Sequence, residues 1–326
     1  MILNFVDRIN LKIQDFVSNG FITATGVVSI LSKRTDLAME AHELWRTAAH
    51  QAQLPGIHSD THMQHGYEVT TVCVTDEESA KALGKPKGTY VTLDLRPYWS
   101  HEEGAFERAA RAVGTELRAL LGKDVKSALV TGLGNDAMTP DAIGPSSAEH
   151  VLVTRHLMHT EEFSSLAAVS VLTPGVLGRT GMEAAEVIRG AVKIVRPDVL
   201  IAVDALASRS LARVCTTVQL SDTGMIPGSG VGNRRRAVNQ ALLHIPVIAL
   251  GVPTVVDAAT LAADLLEEAG AAQVDPAALR GQDAAALMVT PRDIDAQIAE
   301  LSRIVGYGIN LALHPLSFED LTALLG

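Results

Sequence analysis

Two aspartates stand where this sequence can be read for chemistry. Asp141 lies in the run TPDA (139–142) and Asp204 opens the run DALASRS (204–210). Two carboxyls sharing one pocket cannot both ionise easily, so one holds a proton while the other stays charged. That pair suits activation of water by one group and protonation of a leaving group by the other. Plainer readings stand beside it. Asp141 follows Pro140 and can turn a loop or cap a helix, and Asp204 can pair with Arg209. The glycine run GSGVGN (228–233), followed by Arg234, Arg235 and Arg236, has the look of a phosphate cradle and keeps a nucleotide-binding module in view. No clear strand leads into it and no Walker lysine accompanies it, so a loop shaped by its glycines is the simpler account. His58, His62 and His65 are closely spaced, but Pro55, Gly56 and Gly66 around them read as loop, and no cysteine joins them as a metal set. Ser208 and Ser210 lack the GxSxG elbow of a serine nucleophile. Cys73 and Cys215 read as small buried apolar groups.

The positions of the two aspartates depend on the elements before them. Residues 127–132 (SALVTG), 198–203 (DVLIAV) and 245–250 (IPVIAL) are short apolar runs of the kind found in strands buried on both faces. Each leads into a polar loop, and in an α/β sheet ligands and catalytic groups gather beyond the carboxyl ends of the strands. Residues 67–74 alternate as a half-buried strand does, 89–95 make another, and 169–172 a short one. Helical spacing covers 2–18, 36–50, 101–121, roughly 146–159, 181–195, 255–270 and 291–306. The expected fold is α/β, a mostly parallel sheet covered by helices on both faces.

Composition narrows the function. The chain has 326 residues, 47% hydrophobic and 20% charged, enough for a substantial core and unlike a disordered chain. Its 27 basic against 37 acidic side chains give a formal charge of −10, which argues against direct nucleic-acid binding and leaves a basic protein as an approachable partner. Two cysteines without CxxC spacing suit a reducing, cytoplasmic setting. No apolar run is long enough to span a membrane, and charges at Asp7, Arg8, Lys12 and Asp15 break up the N-terminus as a secretory signal.

Many blocks in order resemble the spore germination protease family, whose members degrade small acid-soluble spore proteins. The blocks are RTDLAMEAHE (34–43), GLGNDAMTPDAIGP (132–145), VLVTRHL (151–157), TPGVLGRTG (173–181), DALASRS (204–210), SDTGMIPGSGVGNRRR (221–236), PVIALGVPTVVDA (246–258) and LMVTP (287–291). The resemblance implies an endopeptidase made as a zymogen that trims its own N-terminus in the developing spore, with a fold distantly similar to hydrogenase-maturation peptidases. It implies cutting at a short acidic site: Thr-Glu before Phe or Ile, then Ala, then one residue and Glu. Residues 34–40 (RTDLAME) look like that site with Asp for Glu, which places self-cleavage between Asp36 and Leu37. Residues 1–36 are then the pro-segment, longer than the family's usual one, and 37–326 a single peptidase domain. By the same resemblance Asp141 and Asp204 are the catalytic aspartates, the pair already marked by position.

On that footing, backbone N–H groups at Gly134, Asn135 and Gly230 are candidates to hold the oxyanion, and Arg209 or Arg234 to receive the acidic side chain before the cut. Asp136, where the family commonly has a bulkier residue, adds a carboxylate that can raise the pKa of Asp141. No cofactor is expected, although a metal-assisted peptidase using the same carboxylates is an alternative. The resemblance further implies a homo-oligomer, a tetramer, in the cytoplasm of the forespore or spore core. The 28 residues at 259–286 are fewer than well-known relatives carry there.

Overall fold

Period-two alternation of apolar side chains sorts the strands onto two faces of one sheet. In the computed structural model, which describes residues 35–48, 54–122, 125–230, 235–270 and 287–325, the strands are β1 (Ile57–Gln64), β2 (Tyr67–Val74), β3 (Gly88–Asp94), β4 (Ser127–Gly132), β5 (Ala168–Leu172), β6 (Val199–Ser208), β7 (Thr217–Ser221), β8 (Val247–Asp257) and β9 (Met288–Val289). The helices are α1 (Ala38–Ala48), α2 (Glu77–Leu83), α3 (Ala105–Leu121), α4 (Ile143–Glu149), α5 (Leu177–Thr180), α6 (Ala184–Val195), α7 (Gln240–Leu243), α8 (Ala258–Glu268), α9 (Ile294–Leu313) and α10 (Phe318–Leu325). The strand order is β1-β2-β3-β7-β8-β6-β4-β5, with β9 on β8. The expected helix at 2–18 lies outside the described residues.

Helices cover both faces. Ala128 and Val130 of β4 and Val199, Ile201 and Val203 of β6 face α3 and α9, through Val113, Leu117, Leu301 and Ile304. The intervening Leu129, Leu200 and Ala202 face α6 and α7. On the antiparallel side, Val72, Val74 and Tyr90 pack against α1 and α2. The α/β class is thus observed, but parallel pairing is confined to β5-β4-β6-β8. The pairs β1-β2, β2-β3, β3-β7, β7-β8 and β8-β9 are antiparallel. The sheet is mixed rather than mostly parallel, and chain connection is one reason. Between β1 and β2 only His65 and Gly66 intervene, both at positive φ, and a link that short forces a hairpin.

Two further departures bear on the site. His58 and His62 sit in strand β1 rather than a loop, and His62 approaches Glu116 at 3.3 Å. The strand expected to stop at Val203 continues to Ser208, so Asp204 lies within β6. Its partner β8 also runs on, through Gly251 to Asp257, with a register shift where Leu206 faces Pro253 and Ala207 faces Val255. Thr254 is the extra residue of this bulge. Proline has no N–H to give a ladder, and a bulge is where a strand tolerates it.

Candidate active site

Close backbone approach seats the Asp141 loop on the strand ends. Leu133, just past β4, donates its N–H to Val203 O at 2.8 Å. A Cβ on Gly132 would collide with the Gly144 carbonyl, one on Gly134 with the Asp141 carbonyl, and one on Gly144 with Leu133. Gly134 also adopts a φ of +112°, open to glycine and strained for other residues. Asn135 N–H donates to Asp141 O at 3.1 Å and closes the loop. From β8, the bulged Thr254 turns its hydroxyl onto Pro140 O at 2.6 Å. Bulges commonly re-aim a side chain beside a functional site, and here the hydroxyl fixes the residue before Asp141.

Asp204 is buried, with the Ala205 N–H on its Oδ1 at 2.9 Å. Burial pushes its carboxyl well above the usual range; the charges of Asp141 and then Asp36 push the same way, against the Ala205 N–H. Burial also raises Asp141, opposed by the Asn135 N–H. Asp204 therefore feels the charge of Asp141, and it is the one held more strongly in its protonated form. Asp136 is not among the causes of the Asp141 shift. It is exposed and pairs with Arg179.

Asp204 lines a cleft of about 690 Å³ together with Thr35, Asp36, Lys85, Gln219 and Ser229. Asp141 is not in that lining, although its charge reaches Asp204. Of the chain's own segment 35–40, Thr35 and Asp36 form part of that lining. Asp36 N–H donates to Ala207 O at 2.8 Å, and Ala207 N–H returns a bond to Asp36 Oδ2 at 2.9 Å. Ser229 Oγ donates to Asp36 Oδ1 at 2.7 Å. Gly230 packs so near that a Cβ there would strike the Asp36 carboxylate. Leu37 and Ala38 are fully buried, and Ala38 N–H reaches Gln219 Oε1 at 2.7 Å. Glu40, also fully buried, accepts from Arg209 N–H at 2.7 Å, Ser210 N–H at 3.1 Å and Arg213 at 3.3 Å, and from the Thr35 hydroxyl.

Of the residues singled out from sequence, Gly134, Asn135, Asp141, Asp204 and Gly230 gather at this cleft and the loop beside it. Gly230 contributes by lacking a side chain. The Arg209 side chain points elsewhere, to Asp264 at 3.1 Å, and only its backbone N–H serves the segment. Neither arginine candidate is therefore seen to take the acidic side chain: a backbone N–H and a hydroxyl hold it, and Arg234 lies outside the described residues. The reading missed Lys85, Gln219, Ser229 and Thr254. Each is a common polar residue in a run with no motif, and only the folded chain brings them together. Among the described residues no three His, Cys, Asp or Glu side chains group as a metal site.

A family profile for germination protease matches residues 35–268. The chain belongs to the germination protease family. It is 40% identical over 320 residues to the germination protease of Clostridium perfringens, covering 90% of this chain and 98% of that one. It is 39% identical over 328 residues to that of Caldanaerobacter subterraneus subsp. tengcongensis, covering 92% and 100%. The Priestia megaterium germination protease is 41% identical over 251 residues, covering 74% of this chain and 68% of that one. Among solved structures, a [NiFe] hydrogenase maturation protease, HycI, from Thermococcus kodakarensis aligns with 60% of this chain and 98% of its own, at 14% identity and a TM-score of 0.34. Family membership makes the protein a peptidase with a role in spore germination. No helix among the described residues is long and apolar enough to cross a membrane.

Proposed function

We propose that the protein is an aspartic-type endopeptidase made as a self-processing zymogen, which cuts its own chain between Asp36 and Leu37 and later begins the degradation of small acid-soluble spore proteins in the spore core. The observation that carries this reading is the seating of residues 35–40. Of the positions of the expected recognition sequence, Asp36 lines the cleft with Asp204 and is held by the Ala207 N–H and the Ser229 hydroxyl, Leu37 is fully buried, the Ala38 N–H is taken by Gln219, and Glu40 has its own set of donors. Residues 1–36 are the pro-segment in this scheme, of which 1–34 lie outside the described residues, and 37–326 form the peptidase domain. A spore protein presenting the same pattern would enter the same cleft after the pro-segment leaves.

The electrostatics support the dyad. Asp204, the more strongly raised, holds the proton and gives it to the leaving amine; Asp141 accepts a proton from water. Both carboxyls take up protons at a higher pH than free carboxylates, so mild acidification moves the pair toward the singly protonated form, which fits a zymogen that fires as its compartment acidifies. A metal-assisted mechanism would use the same two carboxylates but lacks a third His, Cys, Asp or Glu ligand among the described residues. The likeness to the family supports a homo-oligomer, a tetramer.

The test is the mass of the fragment released by the full chain at mildly acidic pH, with and without chelator. A fragment ending at Asp36, lost in Asp204→Asn and in Asp141→Asn, is expected. A cut elsewhere, or full activity in either variant, overturns the assignment.

A further inference from the structure

The bond from Asp36 to Leu37 is straddled by one side chain. Gln219, on β7, donates from Nε2 to Asp36 O at 3.3 Å and accepts the Ala38 N–H on Oε1 at 2.7 Å. It thus grips the backbone on both sides of the bond. Lys85, just beyond the Gly84 cap of α2, brings Nζ to the same Asp36 carbonyl oxygen at 2.7 Å and to Thr35 O at 3.4 Å. Two donors from separate elements of the antiparallel half therefore meet on one carbonyl. Lys85 is half-buried and has no carboxylate salt-bridge partner among the described residues; it faces the Asp36 carbonyl, and desolvation lowers its pKa while the charges of Asp36 and Glu40 oppose that shift. Neither residue belongs to the aspartate pair, and neither lies in a glycine loop.

We infer that Lys85 and Gln219 form the oxyanion clamp of the peptidase, holding the carbonyl oxygen of the residue before the cut. The inference rests on the proposed cut at Asp36–Leu37. The chemistry balances as follows. The oxygen of water adds to the Asp36 carbonyl carbon while Asp141 takes one of its protons. The carbonyl π pair moves onto the oxygen facing the Lys85 ammonium and the Gln219 amide. That pair then returns, the C–N bond breaks, and Asp204 gives its proton to the Leu37 nitrogen. The products are a carboxyl at Asp36 and an amine at Leu37, and one proton passing from Asp141 to Asp204 resets the pair. Donors fixed in advance on the oxygen where charge develops are the strongest electrostatic aid to acyl transfer. The same clamp would act on a substrate in trans, because it recognises only backbone.

The experiment follows self-cleavage of the full chain by mass after mild acidification, in Lys85→Met, Lys85→Arg, Gln219→Met and Asp204→Asn, with hydrogen exchange of amides 37–44 as a measure of docking. Lys85→Met is expected to slow release of the fragment by at least about 100-fold, the loss typical of one oxyanion donor. Gln219→Met should slow it by about tenfold or more, and Lys85→Arg should recover part of the rate. Protection of 37–44 should stay at the wild-type level in Lys85→Met. Wild-type cleavage at Asp36 with a dead Asp204→Asn, but a Lys85→Met variant that cuts at the normal rate, overturns the clamp while sparing the proposed function. Loss of protection in step with loss of rate in Lys85→Met assigns Lys85 to docking and likewise overturns it. A wild-type fragment that does not end at Asp36 removes the underlying reading itself.

Discussion

Replacing Glu40 by glutamine tests the seating of the proposed recognition segment most sharply, because shape is kept and only charge and one acceptor are lost. Both carboxylate oxygens are committed. Oε2 takes the Arg209 N–H at 2.7 Å and the Thr35 hydroxyl, and Oε1 takes the Ser210 N–H at 3.1 Å and Arg213 at 3.3 Å. Whichever way the amide of the Glu40→Gln side chain is turned, its NH2 meets a backbone donor. A hydrogen bond to a charged group contributes about 1.5–3 kcal/mol, and a buried N–H left unpaired costs a further ~1–3 kcal/mol. Arg213 keeps Glu43 at 2.7 Å, so the loss stops short of a fully broken buried ion pair. The expected penalty is roughly 3 kcal/mol, about a 100-fold fall in the docked fraction of the segment relative to its released form. Hydrogen exchange of amides 37–44 reads that fraction directly, and the self-cleavage rate should fall with it. Protection in Glu40→Gln within about threefold of wild type would refute the claim that Glu40 anchors the segment.

Three other outcomes are expected. Gly230→Ala places a methyl against the Asp36 carboxylate and the Ala207 side chain, so it should block self-cleavage while thermal unfolding of the rest of the chain is unchanged; normal cleavage would show that the acidic side chain does not need this space. Asp204→Asn should grow more stable relative to wild type as pH rises. The folded-state pKa of Asp204 lies above its unfolded value, so the wild type holds its full stability below the unfolded pKa and loses some as pH climbs through the folded one; urea titrations at about pH 5 and pH 8 that show a constant or reversed gap would contradict this. His314, buried beyond α9, has its pKa pushed down by burial from 6.5 to about 4. The unfolded chain then binds the proton first, and stability falls as pH drops from about 6.5 toward 4, by up to about 3 kcal/mol. His314→Leu should flatten that stretch of the pH profile, measured by denaturant midpoints, and an unchanged slope would count against it.

The sequence alone carried the strands whose apolar runs are continuous or cleanly alternating. β2 and β4 fall on the residues expected of them, because a strand buried on both faces or on alternate residues leaves an unmistakable pattern. The helices α3 and α6 were legible for the same reason at a period of 3.6, although their first turns start later than the pattern suggests. β1 was hidden because IHSDTHMQ is polar and mostly exposed, and it pairs through backbone with β2 rather than through an apolar face. β7 was hidden because it is only five residues long, and its Gln219 points into the cleft. The ends of β6 and β8 run past their expected limits because glycine, proline and aspartate there read as turn residues. In the fold those same residues build a bulge and a close backbone approach.

The candidate site divides along the same line. Spacing after a strand marked Asp141 and Asp204, because that signal is local and survives in one dimension, while RTDLAME was marked only by its resemblance to the family's cleavage site. Only the tertiary structure decided which groups hold that segment. Lys85, Gln219, Ser229 and Thr254 come from four separate parts of the chain, and a hydrogen bond between residues so far apart leaves no periodicity or motif to read. Burial is likewise a property of the assembled sheet and helices, so the displaced protonation of Asp204 exists only once β6 is enclosed by its neighbours.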